Sequence, residues 1–454
     1  MTEDAQARAE ELAARLRTED VHGVVLAYVD TAGITRIKTV PLRRLPAAAA
    51  WGVGMSPVFD TFLSDDSITS TDRLGSPDGD LRLIPDLDAL TVLAAQPGWA
   101  FAPVDRITQD GEPYAACQRT FARSAVARAA EAGLGFPLAF EIEWALSRGE
   151  GDDFSAACTG PAYGMTRLVE LSDYARDLLI ALEAQGLGVE QLHPEYSDGQ
   201  FEVSIEAADP VTAADRSVLV RQTVRALAAR HGLRASFAPS VLAGHVGNGG
   251  HVHLSAWRDG GNLFAGGPGR YGMTADAEAF AAGILDQLPA LCAIGAPTPA
   301  SYLRLVPSHW AGVFACWGRE TRETALRFIT GLVGTEARAA NLEVKCFDLA
   351  ANPYLLAGSL VAAGLHGIEQ GLRLPDEVTG DPARFSDDER AARGINRLPQ
   401  TLDDAVDALS GSAVLRGAMG DTLFDAVVAV RRAEADRFRD STAEEVVAAL
   451  RWVY

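Results

Sequence analysis

The stretch Pro137-Leu138-Ala139-Phe140-Glu141-Ile142-Glu143-Trp144-Ala145-Leu146 constrains this chain more than any other. It reads as a buried strand with one short polar interruption. Alternate side chains of a strand point to opposite faces, so Glu141 and Glu143 share one face and Phe140, Ile142 and Trp144 take the other. Two carboxylates side by side in an apolar strand repel each other and lose hydration unless something positive sits between them. The competing reading is an exposed edge strand with two solvated acids. A metal site gains ground because the same device recurs further along the chain.

Four later stretches join it. In His193-Pro194-Glu195-Tyr196-Ser197-Asp198-Gly199-Gln200-Phe201-Glu202, the Asp-Gly pair signals a tight turn, so Glu195 and Glu202 can face each other across a hairpin. In Gly247-Asn248-Gly249-Gly250-His251-Val252-His253-Leu254-Ser255, the glycines Gly247 and Gly249 allow close backbone approach, and His251 and His253 share a strand face. Asn341-Leu342-Glu343-Val344-Lys345 repeats the polar–apolar alternation ahead of Asn352-Pro353-Tyr354. The fourth stretch is cationic: Arg304 in Ser301-Tyr302-Leu303-Arg304-Leu305-Val306-Pro307, then Arg322 and Arg327. Five glutamates and a histidine make an oxygen-dominated site suited to Mg²⁺ or Mn²⁺. Arginines beside it suit a polyphosphate, because guanidinium forks match phosphate oxygens. The chain has no P-loop motif, so any nucleotide would be held differently.

The totals narrow the class. With 454 residues the chain can bury a large core and hold two or more domains. A formal charge of −21 argues against nucleic acid, which needs a basic footprint. No apolar run reads as long enough to span a bilayer, and Met1-Thr2-Glu3-Asp4 does not open a signal peptide, so the expectation is a cytoplasmic protein with no membrane partner. Cys117, Cys158, Cys292, Cys316 and Cys346 show no paired spacing, which suggests reduced thiols and makes zinc a poor candidate.

Along the chain, strong helix formers fill 3–17, and a hairpin signal surrounds Asp30-Thr31-Ala32-Gly33. Short strands are predicted at 81–85 and 99–104. The first ~110 residues thus read as a small α+β module, with a boundary near Gly111-Glu112-Pro113. Ala-rich helices are predicted at about 167–186, 211–231, 274–290, 352–371 and 421–450, and a long surface loop at 373–400.

The order and combination of these motifs resemble the class I glutamine synthetase family over nearly the whole chain. The matching residues are Phe140-Glu141-Ile142-Glu143, Glu195 with Gly199-Gln200-Phe201-Glu202, the run Gly247 to His253, the run Ser301 to Pro307 with Arg322 and Arg327, and Glu343 with Asn352-Pro353-Tyr354. The resemblance implies an α+β architecture: an N-terminal β-grasp domain (1–112), and a catalytic domain of the ATP-guanido type (113–454) built as an antiparallel strand funnel with surrounding helices. It implies a homo-oligomer, a dodecamer of two stacked hexameric rings. By motif position, Glu143, Glu195 and Glu202 would hold a metal near glutamate, while Glu141, His251 and Glu343 would hold one bridging the ATP phosphates. Two or three cations, Mg²⁺ or Mn²⁺, would serve each site. His253, Ser255, Arg322, Arg327 and Lys345 would fall near the nucleotide. Arg304, Gly247, Gly249 and Lys345 would meet substrate. Asp60, in Val58-Phe59-Asp60, aligns loosely with a residue that reaches into the neighbouring subunit's site.

The departures carry as much information. Ammonia-using members have a glutamate after the Arg-Leu-Val-Pro segment that helps deprotonate ammonium; here the tract is Ser308-His309-Trp310-Ala311, with Trp310 at that position. Val246 stands in place of an asparagine, Asn341 and Lys345 replace arginines, and no tyrosine lies between Tyr354 and Tyr454 to accept adenylylation. The aromatic substitution is similar to the γ-glutamylpolyamine and γ-glutamylamide synthetase branch. The expected function is therefore an ATP-dependent ligase joining the γ-carboxylate of glutamate to an amine, such as a polyamine or ethanolamine, through γ-glutamyl phosphate. Arg304, Arg322, Trp310, His309 and Asp60 are the candidate catalytic residues, with His309 a candidate proton acceptor. Ammonium-dependent glutamine synthesis, or a non-catalytic scaffold of the same fold, are the alternatives.

Overall fold

The computed structural model describes residues 2–149 and 151–454. The helix Thr2–Thr18 opens the chain, with acids in its first turn, arginines in its last, and Ala9, Ala13 and Leu16 on its buried stripe. The predicted hairpin forms: Gly23–Val29 pairs antiparallel with Thr35–Pro41. Gly23–Val29 also pairs in parallel with Trp99–Ile107, a contact no local signal could announce. These strands belong to a six-stranded sheet that also holds Leu81–Pro85 and Val53–Met55.

A second sheet of nine strands carries the chemistry. Its order runs Asn396–Arg397, Phe314–Arg319, Thr324–Ile329, Asn341–Val344, Val252–Leu254, Leu138–Arg148, Gln200–Ile205, Val189–Pro194, with Leu233–Ser236 also on Leu138–Arg148. All pairings are antiparallel except that of Phe314–Arg319 with Thr324–Ile329. The face carrying Phe140, Ile142, Trp144, Phe201 and Val203 is closed to solvent. Burying such side chains contributes roughly 1.5–3 kcal/mol each.

The helices Gln118–Glu131, Pro210–Arg230 and Ala275–Gly295 all pack on Pro353–Gln370. The last begins with Asn352 as N-cap and Pro353 in its first turn. The Asn352 side-chain amide also donates to the carbonyls of Val29 and Asp30, so one residue caps a core helix and holds the first hairpin turn against it.

Four expectations need correction. The 421–450 helix is two, Asp421–Arg437 and Ala443–Leu450, because Thr442 and Glu445 form a capping box that starts a new helix. The 167–186 helix breaks at Leu171, giving Met165–Glu170 and Ser172–Ala184. The 373–400 segment is not a plain surface loop: it holds the helix Asp387–Ala392 and the strand Asn396–Arg397, and buries Leu374, Val378, Ile395 and Leu398. Ala275–Gly295 is long and apolar enough to cross a membrane by length and composition, yet 78% of its most apolar window is buried inside the fold, as in a core helix. All five cysteines are free and buried.

Candidate active site

Sheet register explains why residues far apart in sequence meet. Glu143 lies opposite Glu202, and Glu202 opposite His193. On the other side, His253 lies opposite both Ala139 and Glu343, and Glu343 opposite Arg327. Directly paired residues share a face, so Arg327, Glu343, His253, Glu141, Glu143, Glu202 and His193 form a polar band across six adjacent strands. The reverse face is the apolar core described above. A one-residue slip in any of these pairings would send a carboxylate into that core.

Two ligand-like groups lie within this band among the described residues. Glu141, His251 and Glu343 each present a donor atom within 4.8 Å of the others, and so do His193, Glu195 and Glu202. The Nδ1 of His251 is 2.9 Å from a Glu141 oxygen and 3.2 Å from one of Glu343, while the Nε2 of His253 is 3.0 Å from the second Glu141 oxygen. Glu343 also meets the Lys345 ammonium at 2.8 Å and Arg327 at 3.0 Å. In the second group, His193 lies 3.4 Å from Glu202 and 3.8 Å from Glu195, and the Tyr163 hydroxyl donates to Glu195 at 2.6 Å.

Electrostatics separate the two groups. Burial alone would raise the Glu141 and Glu343 carboxyls, but His251, His253 and, for Glu343, Lys345 outweigh it and hold both well below the usual range. In return His253 is pushed up to about 9 against the opposing effect of its own burial. Glu202 goes the other way: burial, together with the charges of Glu141, Glu143 and Glu195, pushes it up to about 7 although His193 counteracts. One cluster is thus already balanced by protein cations, whereas the other carries an excess of negative charge. Both donor sets, oxygen-rich with one imidazole each, fit a hard divalent cation.

Glu143 stands apart from either group. One of its oxygens accepts the Gly249 amide at 2.8 Å and the Gln200 amide at 2.8 Å. A Cβ on Gly249 would lie 2.7 Å from the side-chain ends of Glu143 and His251 and 2.9 Å from that of Arg304, so a larger residue would push these groups aside. His193 comes within 4.8 Å of Glu195 and Glu202, while Glu143 lies directly opposite Glu202 in the sheet and lines the same cavity. The signal for His193 was present, since it alternates with Glu195 along one short segment.

A cavity of about 710 Å³ opens over the band. Glu141, Glu143, Glu195, Glu202, Gly247, Gly249, His251, Arg304, His309, Trp310, Arg322, Arg327, Glu343 and Lys345 all line it, as does Val246. Arg304 is buried, donates to the Lys345 carbonyl at 3.1 Å, and keeps one guanidinium nitrogen without a partner among the described residues. His253 stands behind Glu141 rather than on the wall, and the Ser255 hydroxyl accepts from the Trp257 indole at 2.8 Å. Asp60 lies away from this cavity. It is fully buried in an ion pair with Arg106 at 2.7 Å, with Gln118 as a further donor. Residues missed from sequence are Tyr163, Tyr196, Gln191 and Gln200, which also line the cavity. Tyr196 packs against Trp310 with ring centroids 4.8 Å apart, a contact between loops distant in sequence.

Fold and site together define an enzyme that gathers charged, oxygen-rich substrates over a strand face lined with acids and arginines. Residues 115–448 match the glutamine synthetase catalytic domain, and residues 8–113 the glutamine synthetase N-terminal domain. The chain belongs to the glutamine synthetase family. It is 64% identical over 450 residues to the gamma-glutamylpolyamine synthetase GlnA3 of Streptomyces coelicolor, covering 98% of this chain and 97% of that protein. It is 30% identical to the glutamine synthetase of Halobacterium salinarum, covering 92% and 91%. Among solved structures, a glutamine synthase homolog superposes with a TM-score of 0.85 at 34% identity, covering 96% of this chain and 99% of that one. An ADP complex of GmaS gives 0.84 at 30% identity, covering 95% and 97%.

Proposed function

We propose that this enzyme joins the γ-carboxylate of glutamate to a polyamine or related alkyl amine at the expense of ATP. A carboxylate oxygen of glutamate attacks the γ-phosphorus of ATP, and ADP leaves. The amine nitrogen then attacks the acyl carbon of γ-glutamyl phosphate, phosphate departs, and the nitrogen's proton passes to a base, with His309 on the cavity wall as candidate. Mg²⁺ or Mn²⁺ at the Glu141–His251–Glu343 and His193–Glu195–Glu202 groups would neutralise phosphate and carboxylate charge when bound. The chain's own part is positioning and charge compensation. Arg304, with an unpartnered guanidinium nitrogen, suits the α-carboxylate of glutamate, while Arg322 and Arg327 suit phosphate oxygens.

The observation that carries the choice of amine is the wall formed by Trp310 and Tyr196. An indole takes no proton but covers an alkyl chain and attracts a cation through its ring face. The similarity to a gamma-glutamylpolyamine synthetase supports the same substrate class. A cytoplasmic dodecamer is the proposed working form. ATP- and glutamate-dependent phosphate release should be followed with ammonium, ethanolamine, putrescine and spermidine. Faster turnover with a longer amine than with ammonium is expected; release with ammonium alone would instead mean glutamine synthesis.

A further inference from the structure

The loop that brings His309 and Trp310 to the cavity is held in an unusual backbone shape. Ser308 has φ 59° and Trp310 φ 57°, left-handed values that residues with a Cβ adopt rarely and keep only when their surroundings hold them. The Trp310 ring does not supply that hold, for it is 42% exposed and its partner Tyr196 is 46% exposed. The hold comes from behind. A Glu323 oxygen accepts the Trp310 backbone N–H at 2.8 Å. Asp381 anchors the neighbouring Ser308 hydroxyl at 2.7 Å.

Glu323 is an odd choice for a purely structural clamp. Its second oxygen is buried with no hydrogen-bond partner among the described residues. Burial raises its carboxyl, and nearby Asp381 adds to that, with only partial relief from the Trp310 amide and Lys345. An acid in such a position is costly, and the segment it serves contributes little to the core. What the contact does accomplish is to fix where the indole stands.

We infer that Glu323 is a positioning residue for amine specificity: by accepting the Trp310 amide it sets the left-handed turn that stands the indole against Tyr196. The inference rests on the reading that this aromatic wall faces the amine, and it adds a residue that neither lines the cavity nor belongs to the metal-type clusters.

Three variants separate the possibilities. Glu323→Gln keeps an oxygen at the same reach but loses the charge. Glu323→Asp keeps the charge but falls short of the Trp310 amide, and Glu323→Ala loses both. Glu323→Gln should leave the KM for spermidine near wild type. Glu323→Asp and Glu323→Ala should raise it about tenfold, the equivalent of one lost charged hydrogen bond, with the KM values for ATP and glutamate unchanged. The Trp310 emission, taken as the difference between each protein and its Trp310→Phe partner, should shift in the Asp and Ala variants and not in Gln. This optical reading needs no substrate, so it judges the positioning claim even if wild type proves to use ammonium, a result that would count against the proposed function instead. If Gln behaves like Ala in KM, the charge itself meets the substrate and the positioning role is wrong. Unchanged emission and unchanged spermidine KM in Glu323→Ala would also overturn it.

Discussion

Glu143 has one oxygen committed to the Gly249 and Gln200 amides and the other turned toward His251, 3.9 Å away. Its position is therefore set by the Gly249 amide and by a strand register that keeps it opposite Glu202. Glu143→Ala and His251→Ala should each reduce turnover at least about a hundredfold while leaving the protein folded, as steady-state kinetics and circular dichroism would show. Asp60 predicts the opposite pairing of effects. Removing it strands a fully buried Arg106, so Asp60→Ala should cost about 3–5 kcal/mol of stability, seen in urea unfolding, with no specific change in substrate KM. The acid-pair pattern of Glu141 and Glu143 was legible because strand alternation alone sorts it to one face. The surroundings of Asp60 were not legible, because a three-residue resemblance carries no information about Arg106, Gln118 and the tyrosines packed around them.

At the scale of elements, the sheet order governs everything the active site needs. Local patterning reaches the strands and the hairpin turn at Asp198-Gly199, but not which strands become neighbours. The junction of Val252–Leu254 with both Leu138–Arg148 and Asn341–Val344 is what places His253 between Ala139 and Glu343. The helices on the reverse face were readable from their composition, apart from internal starts such as the Thr442 capping box. Helix packing supplies its own test. Gly367 of Pro353–Gln370 faces Gly283 of Ala275–Gly295, and a Cβ on Gly367 would lie 2.1 Å from the Ala279 carbonyl oxygen. Gly367→Ala should therefore destabilise by about 1–3 kcal/mol despite the better helix propensity of alanine, and a rise in melting temperature would contradict the tight crossing. Asn352→Ala should cost about 1–2 kcal/mol for the lost cap alone, and more if the contacts to Val29 and Asp30 matter as drawn.

For the whole molecule, two donor clusters and a set of cations share one cavity of about 710 Å³. A ligand that binds only the folded state stabilises it by about 2.7 kcal/mol at a hundredfold excess over Kd. Added Mn²⁺ should accordingly raise the melting temperature of the wild type, and the gain should shrink in a Glu141→Gln, Glu202→Gln double variant; equal gains in both would place the cation elsewhere. The direct test of the central claim is a competition. Enzyme, ATP, glutamate and Mg²⁺ are mixed with equimolar ammonium and spermidine, and the amide products are separated by mass. The account predicts γ-glutamylspermidine as the main product, falling selectively in Trp310→Ala. Glutamine as the main product in wild type, with no amide from spermidine, would contradict it.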